Sequence, residues 1–331
     1  MNKKVTYSEA INLAFKYILK KFPESFVIGQ GLWSPSYVGS TMQGLPNMFG
    51  KKRVIDSPVS EAGVTSIAIG ASLHNMKPIV VHPRMDFMLL AADAIINQSS
   101  KWKFMLGGAN SSAVTIRSII NRGGEQGAQH SQSLYSMFAN IPGIVVALPS
   151  NPQDAYDFLI KSVQTNSTVI YIDDRWLYSE EAVINLNSPN IKKNIFNEKA
   201  KIIKKGKDIT LISLGYGVKI LREVEKKLKD ENISAELIDL KIINPLDIKA
   251  CVSSVKKTKK VLVLDYGWSN CGISSEIISQ IAEKTINYKK KINYLKIALP
   301  DYPAPTNKLN EKDYYFSSTK VYKKVINHFF K

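Results

Sequence analysis

The sequence has few cysteines and no long apolar run. Its 331 residues include two cysteines, Cys251 and Cys271, which argues against a disulfide framework and a cysteine-rich metal site and favours a reducing, cytoplasmic location. No stretch of about 18 apolar residues occurs, so we expect no membrane span. The first residues, MNKKVTYSEAINLAF, are basic without an apolar core behind them, so we predict no signal peptide.

Acidic residues are also scarce beside basic ones. The chain has 45 Lys and Arg against 28 Asp and Glu, a formal net charge of +17. Such a charge suggests a nucleic-acid partner, but the lysines are spread along the chain and few aromatic residues lie among them to stack on bases. We therefore predict no nucleic-acid partner, and a positive field that favours phosphorylated or acidic small substrates.

Strand and helix patterns alternate regularly along the chain. Continuous apolar runs such as KPIVVHP and IVVALPSN are typical of strands buried on both faces, and the segments between them predict covering helices. One of these segments, FMLLAADAIINQSSKW, predicts a single helix over 87–102. The alternation predicts an α/β fold with parallel sheets, in two domains at 1–180 and 208–331 joined by a lysine-rich linker at 181–207.

Four motifs follow one another along the chain: DSPVSEAG, QHSQS, PGIVVALPSNPQDA and LDYGWSNCGISSEI. With them the chain resembles, over nearly its whole length, the beta subunit of the thiamine-diphosphate-dependent decarboxylase component of 2-oxo acid dehydrogenase complexes. It is similar, more loosely, to the C-terminal half of transketolases and of deoxyxylulose-phosphate synthase. The resemblance implies two doubly wound parallel-sheet domains, a transketolase pyrimidine-binding domain followed by a transketolase C-terminal domain.

Glu61 is the first candidate catalytic residue. It lies between the end of a predicted strand and the start of an apolar helix, with no basic partner nearby in the sequence. The helix dipole alone favours a glutamate there, without any catalytic role. The resemblance implies that Glu61 also binds the cofactor, through a hydrogen bond to a ring nitrogen of its aminopyrimidine. That bond would promote removal of a proton from the thiazolium ring, which is acid–base catalysis by a positioned carboxyl group.

His130 and Phe87 are the next candidates. His130 lies in a glycine-rich loop after a predicted strand. The resemblance implies that it faces the substrate and orients or protonates the reacting species, which suits a group that titrates near neutrality; the alternative is a histidine that only fixes its own loop. Phe87 falls where the family places an aromatic ring against the aminopyrimidine, and simple core packing is the alternative.

Three further residues are candidates for substrate binding. His82 stands at the end of a predicted strand, where it would line the site. The chain has RMDF at 84–87 where relatives often have Phe-Ala-Asp-Phe, so Arg84 is a departure from the family. Arg84 and Arg122 are expected either to meet an anionic group of the substrate or to form structural ion pairs.

A Gly-Asp-Gly motif followed at a distance by Asn is missing from the sequence. In the family this motif holds the divalent metal and the diphosphate. Its absence implies that thiamine diphosphate and Mg²⁺ are held through a partner, an alpha subunit that carries the motif, in an α2β2 heterotetramer with the cofactors at alpha–beta interfaces. We therefore expect no metal site on this chain, which by itself would be half of an active site.

Two reactions fit the resemblance. In the first, a 2-oxo acid is decarboxylated and the acyl group passes to a lipoyl-bearing acyltransferase, which QHSQS favours. In the second, the chain is the C-terminal half of a split transketolase that moves a ketol group between sugars. The loop before His130 lacks the usual Arg-x-Pro, and a charge of +17 suits a basic acyltransferase domain poorly. Another thiamine-dependent lyase or synthase, or a non-catalytic scaffold that binds a partner, are the remaining hypotheses.

Overall fold

The computed structural model describes residues 2–124 and 126–331, which form two compact units. The first unit comprises the chain up to Asn121 together with Met137–Glu198. The second unit comprises Arg122–Ser136 and Lys199–Lys331. The loop 122–136, which carries QHSQS, therefore packs with the C-terminal half of the chain, although it lies in the N-terminal half of the sequence. The domain limits at 180 and 208 stay predictions.

A parallel sheet forms the centre of the first unit, because its strands are apolar runs buried on both faces. The strands of this unit are β1 (Asn2–Thr6), β2 (Ser25–Gly29), β3 (Val54–Asp56), β4 (Lys77–His82), β5 (Thr115–Ile120), β6 (Ile144–Ala147), β7 (Thr168–Asp174) and β8 (Glu181–Asn185). The parallel order is β6-β7-β5-β4-β2-β3, and β1 pairs antiparallel with β8.

Some of the helices up to residue 164 begin at recognisable side-chain caps. The helices up to residue 164 are α1 (Tyr7–Lys21), α2 (Leu45–Phe49), α3 (Glu61–Ser72), α4 (Trp102–Met105), α5 (Tyr135–Ala139) and α6 (Pro152–Gln164). A capping box starts α1: the side chain of Thr6 accepts from the N–H of Glu9, and the carboxylate of Glu9 accepts from the N–H of Thr6. The side chain of Asn151 caps α6, whose first residue is Pro152.

The segment 87–102, predicted as one helix, is divided into pieces. A 3₁₀-helix covers Phe87–Ala91, a π-helix covers Ala94–Ser99, and α4 begins at Trp102. Ser99 is buried, and its hydroxyl hydrogen-bonds the hydroxyls of Ser112 at 2.7 Å and Thr168 at 2.5 Å. The apolar spacing predicts which face of this segment is buried. It does not predict the polar contacts with other elements that accompany the π-helix.

The second unit is also built on a mainly parallel sheet. The strands of this unit are β9 (Lys201–Lys204), β10 (Ile209–Ser213), β11 (Ala235–Asp239), β12 (Ile242–Asn244), β13 (Lys260–Trp268) and β14 (Asn293–Leu299), and all of them except β12 belong to this sheet. Its helices are α7 (Tyr216–Asp230), α8 (Lys249–Thr258), α9 (Ile273–Thr285), α10 (Lys308–Tyr314) and α11 (Ser318–Phe329). The order is β14-β13-β10-β11-β9, with β9 antiparallel to β11 and the others parallel.

The segment 181–207, predicted as a linker, contains a strand near each end. β8 pairs with β1, and β9 pairs with the edge of the second unit's sheet. All side chains of these two strands except Ile184 are exposed or partly exposed, and such strands tolerate charged residues. Their composition therefore resembles that of a connector. Of the helices within the described residues, none is long and apolar enough to cross a membrane.

A buried ion pair ties neighbouring strands of the first unit together. Arg117 on β5 donates to Asp173 on β7 from Nε at 3.0 Å and from Nη2 at 2.8 Å, and both side chains are fully buried. Arg117 also donates to the hydroxyl of Thr41 at 2.8 Å, in the long connection after β2. Burial opposes the charge of Arg117, but Asp173 outweighs it and raises the pKa of the guanidinium. The network therefore fixes that connection against the sheet.

Candidate active site

Glu61 is the first residue of α3, at the carboxyl edge of the first unit's sheet. It is partly exposed and lines a pocket with Gln30, which follows β2, and with His82 and Pro83 at the end of β4. Val64, one turn further along α3, adds an apolar wall. Ligands of open parallel sheets bind at this edge. The helix dipole explains a negative charge at the start of α3, but the pocket gives that charge a place to meet a ligand.

Asp56, the last residue of β3, fixes the turn that follows β2. Its carboxylate accepts hydrogen bonds from the N–H groups of Gly31 at 2.6 Å and Leu32 at 3.2 Å. Gly31 has φ +69°, and a side chain there would collide with Tyr37, so this turn requires glycine. The placement of Gln30 in the pocket thus depends on the first residue of DSPVSEAG. Sequence reasoning missed this role, because it depends on which strands become neighbours.

His82, the last residue of β4, lines the same pocket as Glu61. Its Nε2 lies 3.2 Å from Oγ1 of Thr65, which stands one turn after Glu61 on α3. Burial lowers the pKa of His82 to about 4, so the imidazole is neutral at neutral pH. A neutral imidazole leaves Glu61 without an added positive charge and holds α3 against β4. The contact of His82 with substrate stays a prediction. The role of Thr65 could not be predicted from the sequence, because Thr65 was not singled out by any motif.

Arg84 and Phe87 follow β4. Arg84 is half-buried, and Phe87 starts the 3₁₀-helix, which packs against α3. The ring of Phe87 is 37% exposed, whereas Met85 and Met88 beside it in the sequence are fully buried. Core packing therefore uses the two methionines more completely than it uses Phe87. Stacking of that ring on a cofactor stays a prediction.

Arg122 and His130 belong to the second unit. Arg122 is buried: its Nη1 donates to the carbonyl of Tyr266 at 3.2 Å, and its guanidinium lies 5.3 Å from the centre of that residue's ring. These contacts favour the structural role for Arg122 over the substrate role, which stays a prediction. His130 is partly exposed, and its N–H donates to the carbonyl of Gly127 in a turn.

The loop that carries His130 is fastened by the motif LDYGWSNCGISSEI. The hydroxyl of Tyr135 donates to the carboxyl group of Asp265, which is fully buried. The same carboxyl group accepts the N–H groups of Gly267 at 2.8 Å and Ser274 at 3.2 Å, and so joins the end of β13 to the start of α9. These bonds give the motif a local role in the second unit.

Comparison with known proteins places the chain in a family. The transketolase pyrimidine-binding domain matches residues 3–179, and the transketolase C-terminal domain matches residues 198–321. The beta subunit of acetoin:2,6-dichlorophenolindophenol oxidoreductase from Bacillus subtilis is 30% identical over 97% of this chain and 96% of its own length. The chain belongs to the transketolase-like family, among its beta subunits. This beta-subunit resemblance was predicted from the four motifs, and the match confirms it.

Other beta subunits of the family show a similar likeness. The pyruvate dehydrogenase E1 component subunit beta of Rickettsia bellii is 31% identical over 86% of each chain. The mitochondrial subunit beta-1 of Arabidopsis thaliana is 30% identical over 92% of this chain and 83% of its own. A solved split-gene transketolase, described as an inactive beta4 tetramer, matches with a TM-score of 0.75 over 98% of both chains. At 19% identity this last likeness shows the fold alone.

Membership of this beta-subunit family implies thiamine diphosphate as cofactor. The chemistry of the residues present suits its aminopyrimidine ring, because Glu61 lines the pocket together with apolar residues such as Val64 and Val80. A carboxyl group is suited to hydrogen-bond a ring nitrogen, and apolar walls are suited to the ring itself. Among residues 2–124 and 126–331, no group of three or more His, Cys, Asp or Glu side chains is placed to hold a metal ion.

Proposed function

We propose that this chain is the beta subunit of a two-chain thiamine-diphosphate-dependent enzyme that decarboxylates a 2-oxo acid and transfers its acyl group. One observation carries the proposal: Glu61 of the motif DSPVSEAG stands at the first position of α3 and lines a pocket at the carboxyl edge of the sheet. The 30% identity to beta subunits supports it. Split transketolase activity is less well supported, since the solved relative of that name shares only 19% identity.

Glu61 has the central part in this proposal. Thiamine diphosphate, when bound, supplies the carbanion chemistry that breaks the bond next to the substrate carbonyl. Glu61 holds a proton at its carboxyl group and shares it with a ring nitrogen of the aminopyrimidine. His82 stays neutral and, through Thr65, keeps α3 in position. Phe87 supports the ring by stacking.

His130 acts on the substrate side. Its loop is held on the second unit by Arg122 at one end and by Tyr135 at the other. An imidazole at this position can orient the substrate or give it a proton. Its partly exposed position in a fastened loop suits that role better than a core position would.

A partner chain completes the enzyme in this account. We expect an alpha subunit that carries Gly-Asp-Gly, holds Mg²⁺ and the diphosphate, and assembles with this chain as α2β2. We expect a lipoyl-bearing acyltransferase to accept the acyl group. The expected location of the enzyme is the cytoplasm. The exposed face of α3 supports a protein partner. On this face Ile67 is 63% exposed, and its exposed neighbours on α3 are small residues. Leu90, on the 3₁₀-helix that packs against α3, is 64% exposed.

The proposal is tested by co-expression with an alpha-type subunit that carries Gly-Asp-Gly, which is first sought among the genes next to this one. The purified pair is assayed for carbon dioxide release from pyruvate, branched 2-oxo acids and 2-oxoglutarate, with an artificial electron acceptor, thiamine diphosphate and Mg²⁺. Acetoin is included because a relative is named for it, and its turnover is read from reduction of the electron acceptor, since acetoin has no carboxylate to lose as carbon dioxide. We expect cofactor-dependent turnover of at least one 2-oxo acid by the pair and none by either chain alone. If the pair turns over sugar phosphates and no 2-oxo acid, its activity is ketol transfer instead. If the pair does not bind the cofactor, the hypothesis of a non-catalytic scaffold remains.

A further inference from the structure

Two arginines follow strands of the first unit at the carboxyl edge of its sheet. Arg84 comes two residues after β4, Arg175 comes directly after β7, and β5 lies between these strands. The N–H of Met85 donates to the carbonyl of Ile119 at 2.8 Å, and Asp174 is paired with Ile120, so both arginines stand level with the end of β5. Neighbouring strands are about 4.8 Å apart, so two strand spacings separate the arginines by about 10 Å. Two long side chains can span that gap.

The hydrogen-bonding capacity of these side chains is largely unused. Arg175 donates from Nη2 to the carbonyl of Tyr37, but its Nε is buried without an acceptor. Within the part of the chain that the structure describes, the side chain of Arg84 makes no hydrogen bond and no ion pair. A buried N–H without a partner is unfavourable, so an acceptor that reaches it is bound favourably.

The charges around the two arginines point to an anion. Burial lowers the pKa of Arg84, and the positive charge of Arg175 lowers it further, while Tyr37 and Asp86 act in the opposite direction. Two guanidinium groups that repel each other are both stabilised by an oxyanion that accepts hydrogen bonds from each. Because Pro83, the residue before Arg84, lines the pocket of Glu61, such an anion would be part of a ligand that enters this pocket.

We propose that Arg84 and Arg175 form a subsite for an oxyanion group of the substrate, remote from its reacting carbonyl. This inference rests on the proposed function and narrows its substrate class to acids that carry a second carboxylate or a phosphate. The family resemblance implies an aromatic residue at the position of Arg84, so we expect the subsite to distinguish this chain from such relatives. The net charge of +17 attracts such substrates.

Anion binding by the full chain is the first test. The arginine Nε–Hε signals of ¹⁵N-labelled protein are followed in ¹H–¹⁵N spectra during titration with inorganic phosphate and with malonate. We expect saturable shifts, and a dissociation constant at least about tenfold higher for Arg84→Gln and Arg175→Gln. Arg222→Gln, on the exposed face of α7, is the matched control and keeps the wild-type value. Equal affinity in all four proteins overturns the subsite.

Substrate discrimination by the complex is the second test. The ratio of kcat/KM for an acidic substrate to that for pyruvate is measured, with 2-oxoglutarate as the dicarboxylate and 3-phosphohydroxypyruvate as the phosphate ester. We expect a preference for one of these two acids, and a ratio at least about tenfold lower in Arg84→Gln and Arg175→Gln but not in Arg222→Gln. An unchanged ratio assigns the arginines to contact with the partner chain and overturns the proposal. If nothing turns over, the proposed function fails, and the titration alone decides on the subsite.

Discussion

At the scale of single residues, the pocket of the first unit contains a neutral histidine. His82 is 2% exposed, and burial lowers its pKa from 6.5 to about 4. In the unfolded chain the imidazole takes up a proton as the pH falls through 6.5, whereas in the folded chain it does so only near pH 4. The unfolded state therefore binds more protons in this window, and stability falls as the pH is lowered.

We expect His82 to remove about 3 kcal/mol from the free energy of unfolding between pH 7 and pH 4, since one pKa unit corresponds to about 1.4 kcal/mol. His82→Gln keeps a polar group for Thr65 but does not titrate, so its stability should depend less on pH. His74→Gln, at an exposed position, is the control and should behave as the wild type. Urea denaturation at pH 7, 5.5 and 4 measures the difference, and equal pH dependence in all three proteins would contradict it.

The residues of the candidate site differ in how far the sequence predicts them. Glu61 and His130 could be singled out because each lies in a short motif whose order along the chain is specific. Thr65 could not be singled out, because its role arises from the contact between α3 and β4. Arg175 could not be singled out either, because its proposed role depends on how the ends of β4 and β7 are placed in the sheet. Single-sequence patterns describe what lies along the chain, and these contacts depend on strand order.

At the scale of elements, the loop 122–136 depends on its fastening to the second unit. Tyr135 donates to Asp265, and the N–H of Ile273 donates to the hydroxyl of Ser136 at 3.0 Å. A side chain at Gly267 would lie 3.1 Å from the hydroxyl oxygen of Tyr135, so the two segments approach each other closely. The position of His130 is therefore set by residues distant in the sequence.

We expect Tyr135→Phe to loosen this loop without unfolding the second unit. It removes one hydrogen bond to a carboxyl group, worth about 1.5–3 kcal/mol, so amide hydrogens of 122–134 should exchange about tenfold faster or more. Hydrogen exchange with mass spectrometry measures this. Tyr322→Phe, whose hydroxyl donates to Glu231 at 2.9 Å elsewhere in the unit, is the control. Uniform acceleration over the unit, or none in the loop, would count against the fastening.

Elements were predictable where burial alone determines them. The strand runs KPIVVHP and IVVALPSN became β4 and β6, since continuous apolar runs suit strands covered on both faces. The division of the segment 87–102 into several helices was not predictable, because it accompanies polar contacts that Ser99 makes with other elements. β1 and β8 were also missed, because exposed strands carry charged residues that give no apolar signal.

At the scale of the whole molecule, the chain is two α/β units of one family, each with its own parallel sheet. Glu61 belongs to the first unit and His130 to the second. The sequence predicts this overall architecture well, because four motifs in order specify the family. It does not specify the acid that the enzyme uses, which in our proposal depends on side chains such as Arg84.

The central claim is that Glu61 activates the cofactor. The most direct measurement is the rate of hydrogen–deuterium exchange at the thiazolium carbon of thiamine diphosphate bound to the two-chain complex, read by NMR after acid quench. We expect Glu61→Gln to bind the cofactor but to exchange at least about a hundredfold more slowly, the range typical of a lost acid–base group. Glu223→Gln, an exposed glutamate on α7, should exchange at the wild-type rate. Wild-type exchange in Glu61→Gln with the cofactor bound would contradict the account.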